Sequence, residues 1–357
     1  MKKKIIIIIP SVFLALILIV FLAIYFLFHD AINVIGTIEK ISEDKNLYTM
    51  EYNGDYGFEK FIEEGGASSA EELAVFLSNF ISKGYYTMQL EESENGCSTI
   101  SAVSLSGEYI FGRNFDWIDC TCMIVKTTPV NGYQSISTVN LDFLGYSTDY
   151  QPDSLINSFL TLGAPFAPLD GMNEMGLCIA DLVIEEAGET HQDTGKPDLT
   201  TTTAIRLILD YAATVDEAVG LLRQYDMHSD IGTMHHLAIS DSSGRSVVIE
   251  YIDDEMFVTE TPIVTNFILT EGDSYGLGSE SSKDRFHILQ DIHESQSGNL
   301  NELEMKSALI AVNQGEGFDP QWNTQWSVIF NQSKGTAAYY HCEDYDIMYE
   351  FEIKSQK

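Results

Sequence analysis

The sequence predicts an α+β fold in which antiparallel sheets carry helices on their outer faces. Three observations predict it. Strand-like and helix-like patterns come in blocks instead of alternating one by one, which argues against a parallel α/β sheet. Turn signals such as Ser106-Gly107 and Asp241-Ser242-Ser243-Gly244 join short apolar runs, as antiparallel hairpins require. Helical patterns come in successive pairs, Thr200–Arg223 and Ser282–Val312, with strands on either side. Gly276-Leu277-Gly278 lacks the third glycine and the strand–helix setting of a dinucleotide loop, and no internal repeat is present.

With 357 residues, 45% of them hydrophobic, the chain can hold an anchor, a leader segment and one large domain. Aspartate and glutamate number 54 against 19 lysines and arginines, a formal net charge of −35. Nucleic acid is excluded as a partner, because phosphate binding needs a basic surface. The five cysteines are an odd number, so at least one thiol is free. Cys120-Thr121-Cys122 is too short for a zinc half-site, and His235-His236 on a strand point to opposite faces. The sequence implies neither metal nor cofactor.

Met1-Lys2-Lys3-Lys4 is a basic head before an uncharged run, Ile5 to Phe28, broken only by Pro10 and Ser11. As a helix rising about 1.5 Å per residue, the run reaches roughly 36 Å, more than the ~30 Å apolar core of a bilayer. The alternative is a cleaved secretory signal, whose apolar region usually spans about 7–15 residues before a small-x-small site. Here the run is longer and ends in bulky Tyr25-Phe26-Leu27-Phe28-His29. Residues 1–30 are therefore expected to be a cytoplasmic head and a retained transmembrane helix, with the rest of the chain outside the cell membrane.

Residues 31–96 form a separate, mixed segment. Ile35 to Lys40 and Leu47 to Tyr52 read as short strands. Ser68 or Ser69 caps a helix with Glu71 and Glu72 in its first turn. Leu73, Phe76, Leu77, Phe80 and Ile81 give that helix one apolar face, and Gly84 ends it. It suits either a leader packed on the following domain or the first element of that domain.

The third segment, 97–357, opens with a hairpin, Ser98–Leu105 and Glu108–Gly112. Gly176–Val183 is an apolar strand. Thr200–Tyr211 is helical, and Thr214-Val215-Asp216-Glu217 is a capping box for a second helix through Arg223. His236–Ser240 and Ser246–Ile252 form a second hairpin, followed by strands at Met256–Thr259 and Ile263–Asn266. Helices at Ser282–His293 and Glu302–Val312 precede closing strands at Trp326–Asn331, Thr336–Tyr340 and Ile347–Ile353.

The chemistry concentrates at Asn95 to Trp117, NGCSTISAVSLSGEYIFGRNFDW. Folding back at Ser106-Gly107 returns Arg113 and Asp116 beside Cys97. A thiol between a cation and a carboxylate has the surroundings of an activated nucleophile, whereas a lone cysteine is otherwise a small core residue.

Cys97-Ser98-Thr99 followed by Gly112-Arg113-Asn114-Phe115-Asp116 resembles the start of the mature choloylglycine hydrolase family, which includes bile salt hydrolases, penicillin V acylases and related linear-amide hydrolases. Four later segments match in order: Asn173-Glu174-Met175-Gly176-Leu177, Val264-Thr265-Asn266, Ser281-Ser282-Lys283-Asp284-Arg285-Phe286 and Thr324-Gln325-Trp326-Ser327. The resemblance implies a four-layer αββα N-terminal-nucleophile fold and a catalytic set of Cys97, Arg113, Asp116, Asn173, Asn266 and Arg285. In those roles Cys97 is the nucleophile and its freed α-amine the base. Arg113 favours the thiolate and Asp116 orients the amine. Asn173 and Asn266 donate to the oxyanion, and Arg285 sustains the electrostatics or holds the cleavage geometry.

Cys97 is internal, so the resemblance also implies self-cleavage of Gly96–Cys97. A long leader is closer to the acid ceramidase and N-acylethanolamine acid amidase branch, and to the isopenicillin N acyltransferase group. The expected partner is a small acyl amide with an apolar acyl part. The expected reaction is amide hydrolysis through a thioester. Acyl transfer from the same thioester and a non-catalytic, membrane-anchored ligand-binding ectodomain are the competing readings. A papain-like protease is not indicated, since its Cys-Gly-x-Cys-Trp signature is missing.

Overall fold

The structure, a computed structural model, describes residues 14, 18, 19, 22, 25–42, 45–84, 96–147, 149–230, 232–314 and 323–353. Most of the apolar run Ile5–Phe28, and Asn95 ahead of Gly96 and Cys97, lie outside these residues. Among the described residues, no helix is long and apolar enough to cross a membrane.

Two sheets stack face to face. The smaller has six strands in the order Ile263–Val264, Gly96–Val103, Tyr109–Trp117, Asn323–Asn331, Thr336–His341 and Asp344–Glu352, every neighbour antiparallel. The larger has nine: Glu39–Lys40, Leu47–Asn53, Cys122–Thr128, Ser135–Asn140, Asp170–Asn173, Cys178–Gly188, Thr233–Ser240, Ser246–Ile252 and Glu255–Glu260. Its one parallel pair joins Leu47–Asn53 to Cys122–Thr128.

Three apolar cores define four layers. One lies between the sheets, with Phe111, Phe115, Trp326 and Phe330 facing Ile124, Met172, Ala180 and Leu182. A second lies between the large sheet and helices Phe58–Glu63, Ala70–Ser82, Thr201–Tyr211 and Val215–Leu222. The third lies between the small sheet and helices Glu280–Ser295 and Glu302–Ala311. The period-two alternation of a strand explains how one sheet serves two cores: Phe111 and Phe115 face inward, while Gly112 turns outward against Met305. The helices and hairpins expected between Ser68 and Val312 are present, Ser69 and Thr214 being the caps.

One expectation is corrected. Ile35–Lys40 is not one strand: residues 25–35 are helical, Gly36 N–H closes on Ile32, and only Glu39–Lys40 is extended. The described residues of 31–96 pack on the rest of the chain. Leu47–Asn53 runs inside the large sheet, with Met50 fully buried. Tyr56 donates to both carboxylate oxygens of Asp210 at 2.6 and 2.5 Å, and Asp210 is paired with Arg206 at 2.8 Å. At Gly66 the backbone passes against Asp198, whose carbonyl oxygen would stand 1.8 Å from an added Cβ. Together with a φ of 78° there, only glycine allows the approach.

The leader is thus part of the folded unit, and truncating a buried leader residue must be felt by the whole. Met50→Ala, a large-to-small change in a closed core, is expected to cost about 2–5 kcal/mol. Urea unfolding followed by the fluorescence of Trp117 and Trp326, both distant in sequence from Met50, should show the shift in a single transition. An unmoved midpoint would make the leader an independent unit.

Candidate active site

Cys97 and Arg113 share the inter-sheet face of their hairpin because the register sets Cys97 opposite Phe115 and Thr99 opposite Arg113. Arg113 Nη2 donates to Cys97 Sγ at 3.4 Å. Its Nη1 donates to the carbonyls of Leu169 and Asp181 at 2.9 and 2.7 Å, and its Nε pairs with Asp170 Oδ2 at 3.0 Å. Asp170 is itself held by Thr138 Oγ1 at 2.6 Å and Trp326 Nε1 at 2.8 Å. The guanidinium is fully buried, and every one of these partners except the sulfur lies off its own hairpin.

Asp116, one residue beyond Phe115, stands opposite Gly96. A bulge in the neighbouring strand between Thr324 and Trp326 sets Thr324 across from it, and Thr324 Oγ1 donates to Asp116 Oδ1 at 2.6 Å. Oδ2 is buried without a hydrogen-bond partner among the described residues. Burial pushes this carboxyl up to about 6, against the pull of the Arg285 and Arg113 charges. Burial likewise pushes the Cys97 thiol up to about 12, although Arg113 pulls it down.

Asn266 and Arg285 close on the same residue from the other side. Asn266 Oδ1 accepts from Cys97 N–H at 2.8 Å and from Arg285 Nη2 at 2.8 Å. Its Nδ2 donates to Val183 carbonyl at 2.7 Å, which leaves one amide hydrogen uncommitted. Arg285 also donates from Nε to Ser98 Oγ at 3.2 Å, and from Nη2 to the Cys97 carbonyl at 3.4 Å. It is a buried residue of helix Glu280–Ser295 rather than a surface partner of Asp284 or Glu280.

Asn173, expected as an oxyanion donor, makes no hydrogen bond to Cys97. Its Nδ2 donates to the carbonyls of Leu209 and Ala212 at 3.1 and 2.7 Å, and its Oδ1 accepts from Met175 and Leu177 N–H. Both amide hydrogens are spent on fixing a turn against helix Thr201–Tyr211, so none can point at an oxyanion. The sequence reading missed Asp170 and the carbonyls of Leu169 and Asp181. Asp170 stands three residues ahead of Asn173, but nothing in its spacing from Arg113 announces the pair.

Beside this cluster lies a pocket. Leu169 and Asp181, the residues that hold Arg113, form part of its wall. Most of the rest is apolar, and Ala70, Leu73 and Leu77 of the leader helix line it together with Phe143 and Phe166. Among the described residues, no group of metal-binding side chains is present.

A family model, linear amide C–N hydrolases, choloylglycine hydrolase family, matches residues 97–271. A penicillin V acylase of Pectobacterium atrosepticum is 37% identical over 100 residues, which are 25% of this chain and 26% of that protein. The chain therefore aligns with about a quarter of that relative's length. Two variant crystal structures of the conjugated bile acid hydrolase from Clostridium perfringens share the fold. They have TM-scores of 0.56 and 0.51 and identities of 18% and 16%, and each alignment covers 72% of this chain and 92% of the other. The family model begins on Cys97, the residue on which Arg113, Asn266 and Arg285 converge. The segment 97–271, 175 of the chain's 357 residues, is thus similar to the choloylglycine hydrolase family of linear amide C–N hydrolases.

Proposed function

We propose that the protein is a cysteine amidohydrolase that cleaves a linear amide in a small N-acylated substrate, after cutting its own Gly96–Cys97 bond. The convergence of Arg113, Asn266 and Arg285 on the sulfur, nitrogen and carbonyl of one cysteine carries this reading. Amide hydrolysis needs a nucleophile, a proton acceptor and donors aimed at the tetrahedral oxyanion.

In self-cleavage, Cys97 Sγ attacks the Gly96 carbonyl carbon, and the C–N bond breaks as the Cys97 nitrogen gains a proton. Water then hydrolyses the thioester, leaving a Gly96 carboxylate and a free amine on Cys97. That amine, with a reference pKa of about 8, is partly neutral near pH 7 and takes the thiol proton in each later turnover. Sγ attacks the substrate's acyl carbon, the protonated amine product leaves, and water releases the acid from the thioester. The uncommitted N–H of Asn266 supplies an oxyanion contact. Arg113 stabilises the thiolate, and the Asp116 carboxylate holds the ammonium. The apolar lining of the adjoining pocket supports an apolar acyl group. Export, with the anchor at Ile5–Phe28 retained, completes the proposal.

Three outcomes test it. Intact-mass analysis of purified protein should show a fragment beginning at Cys97, and Cys97→Ala should give only the uncut chain, with loss of turnover on acyl amides and an unchanged fold by circular dichroism. Equal turnover by the variant would refute the nucleophile.

Asp116 makes cleavage depend on pH. Its raised pKa means that the carboxylate, the form able to hold an emerging ammonium, is depleted as the pH falls through about 6. A time course of cleavage from pH 5 to 8 should slow below about 6, and Asp116→Asn should be slow and flat throughout; a variant that keeps the wild-type profile would exclude Asp116.

Filling the leader wall with Leu77→Trp should shift the preferred acyl chain to shorter lengths in a series of acyl amides. An unchanged length profile would remove the leader from the substrate site.

A further inference from the structure

The pocket beside Arg113 is not uniformly apolar. Asp181, Thr202, Asp230 and His235 also line it, and they are joined in pairs. His235 Nδ1 meets Asp181 Oδ1 at 2.8 Å, and Thr202 N–H donates to Asp230 Oδ2 at 2.7 Å. Asp181 and His235 share a face because they lie on neighbouring strands two register positions apart, Asp181 opposite Leu237 and His235 opposite Val183. The backbone carbonyl of the same Asp181 holds the guanidinium that touches Cys97 Sγ.

One group in this cluster is unfinished. His235 is 8% exposed, and its Nε2 is buried with no hydrogen-bond partner among the described residues. A buried ring nitrogen left unpaired in a wall of this kind calls for a partner that comes and goes. Two carboxylates face the same space, and no lysine or arginine lines it among the described residues. The two nearby arginines are already committed to carbonyls, Asp170 and Asn266.

Resting on the hydrolase reading above, we propose that this pocket binds a substrate whose apolar chain carries an uncharged or cationic hydrogen-bonding group, a hydroxyl or an ammonium, and that it rejects carboxylates and sulfonates. A hydroxyl can donate to a carboxylate or to a neutral Nε2 of His235. An ammonium donates to the carboxylates and to a neutral Nε2. An anion must approach two carboxylates with only His235 to offset them, and like charges at close quarters are strongly discriminated against. The substrate class is therefore N-acyl amides of amino alcohols or amines, or hydroxylated acyl amides, in preference to amides of acidic amino acids.

The test is a set of dodecanoyl amides bearing a carboxylate, a hydroxyl or an ammonium, placed either on the amine side or at the far end of the acyl chain. In at least one series kcat/KM for the hydroxyl or ammonium compound should exceed that for the carboxylate by about tenfold or more. Asp230→Asn, which keeps the acceptor for Thr202, and His235→Gln should each narrow that gap. Carboxylates equal or preferred in both series, or a gap unchanged in both variants, would overturn the proposal. Titrating the same compounds into uncut Cys97→Ala by calorimetry reads the pocket without chemistry. If wild type hydrolyses none of them, the binding order alone upholds or refutes the pocket, while the failed hydrolysis counts against the enzyme reading only.

Discussion

The buried guanidinium of Arg113 is the constraint around which the rest is arranged. It rises from the small sheet, donates to two carbonyls of the large sheet and forms an ion pair with a carboxylate there. The nitrogen that remains touches Cys97 Sγ. A charge this deep is tolerable only with full pairing, and removing one partner of such a pair typically costs about 3–5 kcal/mol. Sheet stacking and the surroundings of the Cys97 sulfur therefore draw on one side chain. Asp170 completes it, and Trp326 donates to Asp170 while stacking on Phe115 at 4.0 Å, so the aromatic core between the sheets also fixes the arginine's position.

Thr324-Gln325-Trp326-Ser327 shows how a short segment is read by several parts of a site at once. Thr324 holds Asp116, Trp326 holds Asp170, and Ser327 Oγ donates to Asn114 at 2.7 Å. Gln325 takes the place of the bulge and donates to the Trp117 carbonyl at 3.1 Å. The irregularity lets Thr324 and Trp326, two positions apart on one strand, serve two different carboxylates.

Much of this was legible in the residues, and the parts that were not share a cause. Local signals carried well: the Ser69 and Thr214 caps, the Asp241–Gly244 turn, and the hairpin that returns Arg113 to Cys97 all depend on residues close in sequence. Motif order also placed Asn266 and Arg285 at Cys97, across 169 and 188 positions. Asn173 failed because an asparagine that fixes a turn and one that serves an oxyanion look alike in sequence; only its four hydrogen bonds separate the roles. Asp170, Asp181 and His235 carry no spacing signal, since their neighbours are set by strand order in the large sheet. The leader's strand pairing was equally hidden, because a parallel partner 75 positions away leaves no periodic trace.

That parallel pairing has a practical consequence. The strand Cys122–Thr128 is interior only because Leu47–Asn53 covers it in seven paired positions. A recombinant chain begun at Cys97 would bare this ribbon, together with the apolar surface of Met123 and Val125 beneath the leader. Open backbone beside oily side chains is a template for self-association. Laboratory preparation of the shortened polypeptide accordingly needs residues 31–96 supplied as a companion fragment, or it will yield precipitate in place of folded protein.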